Sequence, residues 1–169
     1  MDYVVKFSKC QNFKLQGFSD SDWGGFAEDM KSTSGYYFIF GTGCFSWCSK
    51  KQEIVAQSTA EAEFIAATGA VNQALWIKKI FCDLGLEMKE STEIFVDNQA
   101  AIAISHNPIF HRKTKHFNVK LYFLREVQED GLVNLVYCKT KEQLANIFTK
   151  ALPASKFEFL RKEPGICSF

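Results

Sequence analysis

Over the first third of the chain, apolar residues come in short runs broken by glycine and small polar residues. Lys14–Asp20 reads as a strand that leads into a turn at Trp23-Gly24-Gly25. Ser32-Thr33-Ser34-Gly35 is turn chemistry, and the apolar run Tyr36–Phe40 follows it. Gly41-Thr42-Gly43 then separates that run from Cys44–Cys48, a spacing that predicts a hairpin. The predicted start is an antiparallel three-strand meander.

The spacing changes after Gln57. Ser58 suits a helix N-cap, Glu61 completes a capping box, and Phe64, Ala67, Val71 and Leu75 recur at helical intervals. Leu84-Gly85 supplies the stop. A short strand over Glu93–Val96 and a helix over Asn98–His106 follow, the latter closed by Pro108. His116–Glu129 reads as helix, Leu132–Cys138 as strand, Lys141–Lys150 as a further helical stretch, and Ala154–Lys162 as an outer amphipathic piece. The order predicts an α/β fold: a mixed five-stranded sheet, meander first and then alternating helices and strands, flanked by helices.

At 169 residues, 47% of them hydrophobic, the chain is most simply one domain, 1–169, with a substantial core. Its 17 Phe and three Pro argue against disorder. Trp23, Trp47 and Trp76 stand among apolar neighbours and are expected to pack in the core. No apolar stretch approaches the roughly 20 residues of a membrane span, and MDYVVKFSKC does not read as a secretory signal. The six cysteines lack CxxC spacing and a Cys–His cluster. Most read as reduced core thiols, so an intracellular monomer is expected.

Three acids carry the candidate chemistry: Asp20 in GFSDSDWGG, Glu63 in QSTAEAEF and Asp97 in IFVDNQAAI. Two end apolar runs and one lies a turn into the long helix, so all three could converge on a divalent cation, which needs hard oxygen ligands. Local roles compete. Asp20 also fits a turn acid, with Asp22 either sharing its face or capping the turn, and Asp97 also fits an N-cap. Glu61 has a structural task in the capping box. Glu63 has none, and a carboxylate beside the buried Phe64 stripe is costly unless something positive meets it.

A basic stretch adds to this. From Asn98 to Leu124 there is no acid, while Arg112, Lys113, Lys115 and Lys120 are present, with His106, His111 and His116. In a chain of net charge +1, cations so concentrated can track a nucleic-acid backbone, or form a solvated patch. The histidines match no catalytic signature.

The stretches GFSDSDWGG, KSTSGYYFIFG, SWCSKKQEIVAQSTAEAEF, FVDNQAAI, RKTKHF and EQLANIFTKALP together resemble the ribonuclease H domain that ends the polyprotein of copia-type retrotransposons. The likeness runs in order from about Met1 to Pro153. It implies a ribonuclease H-like fold with four acids around two Mg²⁺ ions, Mn²⁺ being a substitute, cleaving the RNA strand of an RNA–DNA hybrid. It also implies a reverse transcriptase upstream where the chain is part of a polyprotein. Carried over residue by residue, the catalytic and metal-binding acids fall on Asp20, Glu63 and Asp97. The fourth falls on Asn146, where the family pattern LADIFTK calls for Asp. Asn118 and Tyr122 likewise stand in place of the family's usual Asp and His, and Phe26 in place of a common Asp.

An amide oxygen can ligate a cation but brings no charge, so Asn146 implies impaired catalysis. The alternative is a catalytically weak or inactive retrotransposon-derived module that binds nucleic acid or a protein partner.

Overall fold

In a computed structural model, residues 3–8, 14–26, 28–106, 115–162 and 165–168 are described, without the side chains of Tyr3, His116 and Ser168. Strands β2 (Leu15–Ser21), β3 (Thr33–Phe40) and β4 (Gly43–Lys51) form the antiparallel meander. The predicted turn at Ser32–Gly35 gives way to strand from Thr33 onward, because Ser34 and Gly35 pair with Ser21 and Asp20. Helix α1 (Thr59–Asp83) crosses over to β5 (Thr92–Val96), which lies parallel to β2. Helices α2 (Gln99–His106) and α3 (Lys115–Glu129) lead to β6 (Val133–Tyr137), parallel to β5. The sheet order is β4-β3-β2-β5-β6, the mixed five-stranded sheet that the pattern predicts.

Helix α1 begins as its sequence dictates. Ser58 Oγ accepts the Glu61 N–H at 3.2 Å. Glu61 reaches back one residue beyond the expected cap, its Oε2 accepting the Gln57 N–H at 3.1 Å. The helix ends where Gly85 takes a φ of 76°, a conformation that favours glycine. Its buried stripe, Phe64, Ala67, Val71, Ala74 and Ile77, packs on Phe38, Ile94 and Val96 of the sheet and on Phe117, Leu121 and Leu124 of α3. Phe64 and Phe117 meet with ring centroids 4.9 Å apart. Each of the larger side chains contributes roughly 1.5–3 kcal/mol on full burial, and this face of the sheet holds the larger core.

The opposite face is thinner. Tyr37, whose side chain alternates with that of Phe38, packs there with Cys44, Leu144 and Leu160. Leu160 belongs to α4 (Ala154–Lys162), so the outer piece contributes a core residue. The helical stretch expected over Lys141–Lys150 is a short 3-10 turn, Leu144–Phe148. Gln143 starts it, its Oε1 accepting the Ala145 N–H at 3.2 Å. Strand β1 (Tyr3–Val5) pairs antiparallel with β7 (Ile166–Ser168), a contact between distant segments that no local pattern announces.

The tryptophans depart from expectation. Trp23, Trp47 and Trp76 are 57%, 58% and 58% exposed: Trp23 lies in the bend after β2, Trp47 on the edge strand β4, and Trp76 off the side of α1 that buries Ala74 and Ile77. Trp23 instead donates its indole N–H to Ala56 O at 3.1 Å. The cysteines among the described residues divide: Cys44 and Cys138 are buried, Cys48 is half-buried, Cys82 and Cys167 are exposed, and these five are free thiols. Among the described residues no helix is long and apolar enough to cross a membrane.

A candidate metal centre at the strand ends

Asp20 and Asp97 meet because β2 and β5 run parallel and side by side. Ser19 pairs with Val96, so the next residue of each strand delivers a carboxylate at the same edge. The carboxyl edge of parallel strands is where ligands gather in open α/β sheets. Glu63 arrives from the first turns of α1, and its Oε1 accepts the Ser21 N–H at 3.2 Å. One carboxylate oxygen from each of Asp20, Glu63 and Asp97 lies within 4.8 Å of the others.

Neighbouring residues perform the competing local tasks. Asp22, not Asp20, ties the turn, accepting the Thr33 N–H. Asn98, not Asp97, caps α2, its Oδ1 accepting the Ala101 N–H at 3.1 Å. Glu61 serves the start of α1. The three converging acids are free of those duties.

Their electrostatics are unfavourable as they stand. Two unit charges at such separation repel by about 3 kcal/mol at an effective dielectric of about 20. Burial first, and then Asp20 and Asp97, push the Glu63 carboxyl up to about 9. Burial also raises Asp20, against the opposing pull of Lys150 and Thr149. Glu63 is only 6% exposed, and among the described residues its Oε2 has no hydrogen-bond partner. A carboxylate that is buried beside two further acids and keeps one unpartnered oxygen fits a divalent cation, which would satisfy that oxygen and offset the repulsion.

The 3-10 segment closes the fourth side. Gln143 is fully buried, and its Nε2 donates to Ser19 O at 2.9 Å and Phe95 O at 3.1 Å, stitching the ends of β2 and β5. The segment is thereby held against Asp20. Thr149 Oγ1 donates to Asp20 Oδ2. Lys150 Nζ donates to Asp20 Oδ1 at 3.0 Å and to Asn146 Oδ1 at 2.9 Å. Lys150 thus bridges Asp20 and Asn146. Gln143, Thr149 and Lys150 were not anticipated, although the last two lie inside the IFTK motif.

The basic candidates are spread more widely. Arg112 and Lys113 lie outside the described residues. Lys115 is exposed on α3. Lys120 is half-buried, and with Lys50, Lys51, Gln52 and Ile54 it lines a recess of about 300 Å³. Gln52 joins that recess to the acids: its Nε2 donates to Ser21 Oγ at 3.2 Å and to Ala62 O at 3.0 Å.

Comparison with known proteins agrees with this architecture. No protein-family model matches the chain. An N-terminal RNase H domain from Mycobacterium tuberculosis superposes with a TM-score of 0.57 at 9% identity, covering 89% of this chain and 98% of that one. LC11-RNase H1, solved in complex with an RNA/DNA hybrid, gives 0.55 at 13% identity over 80% of this chain and 94% of its own. The fold is ribonuclease H-like.

Sequence relatives narrow the class. The retrovirus-related Pol polyprotein from transposon TNT 1-94 of Nicotiana tabacum is 39% identical over 154 residues, 91% of this chain. That from transposon RE2 of Arabidopsis thaliana is 32% identical over 165 residues, 98% of this chain. The chain is homologous to copia-type retrotransposon Pol polyproteins over nearly all of its length, and it spans 12% and 11% of the length of these two relatives.

Proposed function

We propose that this chain is a ribonuclease H-like endonuclease unit that holds Mg²⁺, or Mn²⁺ in its place, at Asp20, Glu63 and Asp97, and cleaves the RNA strand of RNA–DNA hybrids at a reduced rate. The observation that carries the proposal is Glu63, which has a buried oxygen without a hydrogen-bond partner among the described residues and a carboxylate within 4.8 Å of those of Asp20 and Asp97. When bound, a divalent cation lowers the pKa of a water and stabilises charge on a leaving oxygen. The chain's own residues do the rest. Ser21 N–H orients Glu63, while Thr149 and Lys150 fix Asp20. In the two-ion form of this chemistry, Asp20 and Asn146 are the side chains at hand for the second ion. Asn146 lacks the charge to hold it firmly, which is the reason for a slow reaction.

Lys120 and Lys50, which line one recess, suit phosphate contacts that position a hybrid without reading its sequence, and Arg112, Lys113 and Lys115 extend that role. The 2′-OH and the shape of the duplex distinguish RNA from DNA. What supports one folding unit over 1–169 is Leu160, buried with Tyr37 across the sheet. Within a longer Pol polyprotein the partner is an upstream reverse transcriptase, in an intracellular setting that suits the free thiols.

The test is a labelled RNA–DNA hybrid incubated with and without Mg²⁺. Metal-dependent RNA fragments are expected, and none from Glu63→Gln. No fragments from the native chain with either metal, and none after Asn146→Asp, would contradict the proposal. A second reading, a module that binds a hybrid without cutting it, is favoured by the neutral Asn146. It predicts binding that weakens steeply with salt in the absence of cleavage.

A further inference from the structure

Asn146 is fully buried, and its amide is not free to turn. Nδ2 donates to Thr140 O and to Gln143 O, both at 3.0 Å. Carbonyl oxygens only accept, so the amide is fixed with Oδ1 on the opposite side. There it meets the ammonium of Lys150 at 2.9 Å. The Lys150 backbone N–H also donates to Asn146 O at 3.2 Å, holding the lysine one helical turn from the asparagine. The Lys150 side chain is 36% exposed and that of Asp20 is wholly buried, so the lysine enters from solvent and ends on the buried carboxylate.

We propose that Lys150 is a built-in cation of the acid cluster, occupying the Asp20–Asn146 side so that this chain takes one divalent ion rather than two. The inference rests on the metal-centre reading above. Three carboxylates and one ammonium leave two negative charges, which a single divalent ion balances. A second ion would have to displace the tethered ammonium, and would gain only a share of Asp20 and a neutral amide oxygen. Aspartate at 146 would change the balance by one charge. It would also turn carboxylate oxygen toward the two carbonyls that now accept from the amide. The pairing of Asn146 with Lys150 is therefore a different electrostatic solution for this corner, not simply a missing ligand.

Titration of the native chain with Mn²⁺ alone, followed by heat and by loss of the free Mn²⁺ resonance signal, tests this without reference to activity. One ion per chain is expected. Lys150→Met should tighten that ion about tenfold or more, because a like charge nearby is removed, while Lys150→Arg stays near the native value. Combining Lys150→Met with Asn146→Asp should admit a second ion. Two ions in the native chain, or equal affinity in Lys150→Met and Lys150→Arg, would overturn the inference and leave the metal centre standing. No binding by the native chain would overturn the metal centre itself. The native stoichiometry decides even where Lys150→Met does not fold.

Discussion

Gly35 lies directly across the β2–β3 ladder from Asp20, and the space its missing side chain leaves is filled by the 3-10 segment. A Cβ at Gly35 would stand 2.7 Å from Thr149 Cγ2 and 2.9 Å from Phe148 Cβ. Only glycine lets residues 148–150 approach closely enough to engage Asp20. Gly35→Ala is expected to cost about 1–3 kcal/mol, since Phe148 and Thr149 must move. Urea unfolding of the variant checks this.

Glu61 and Glu63, two residues apart, should respond with opposite signs. Glu61→Gln weakens the start of α1 by about 0.5–1 kcal/mol and leaves metal binding intact. Glu63→Gln removes a carboxyl that is buried among like charges, so the metal-free protein should gain about 1–3 kcal/mol at neutral pH while losing the ion. Thermal melts with EDTA and with Mg²⁺ separate the two effects. A Glu63 variant that melts earlier in EDTA would mean this carboxylate is a structural group.

That contrast bears on what could be read from the chain alone. Ser58, Glu61 and Gly85 were legible because caps and stops are settled within a few residues. The placement of Asp20 and Asp97 followed from strand order. Whether each was a site acid or a local capper could not be decided from its own neighbourhood, since Asp22 and Asn98 stood beside them with equal claims. Only the three-dimensional arrangement gives the local work to those neighbours. Lys150 was invisible because it reaches a carboxylate 130 positions away. The tryptophans were misplaced because apolar neighbours in sequence do not say which face a side chain takes.

The raised Glu63 pKa gives a pH dependence of definite sign. In the unfolded chain the group titrates near its ordinary 4.5, and in the metal-free fold it holds its proton up to about 9. Between those values the folded state binds the extra proton, so this contribution to stability is full below 4.5 and is lost as pH rises towards about 9. Urea midpoints in EDTA should fall with rising pH more steeply for the native chain than for Glu63→Gln. Metal affinity should run the other way, rising with pH as the proton it must displace is lost.

Asn146→Asp is expected to weaken the metal-free fold by about 1–3 kcal/mol. The carboxylate cannot donate to Thr140 O and Gln143 O, so both carbonyls lose that hydrogen bond and face a negative charge instead. A melt in EDTA measures this directly. A variant as stable as the native chain would mean that those two hydrogen bonds contribute little.

The central claim is that Asp20, Glu63 and Asp97 together bind a divalent cation, and a crystal soaked in Mn²⁺ tests it most directly. The anomalous map should place a manganese peak bonded to oxygens of all three side chains. A fully soaked crystal with no peak there, or with manganese bound only elsewhere, would contradict it.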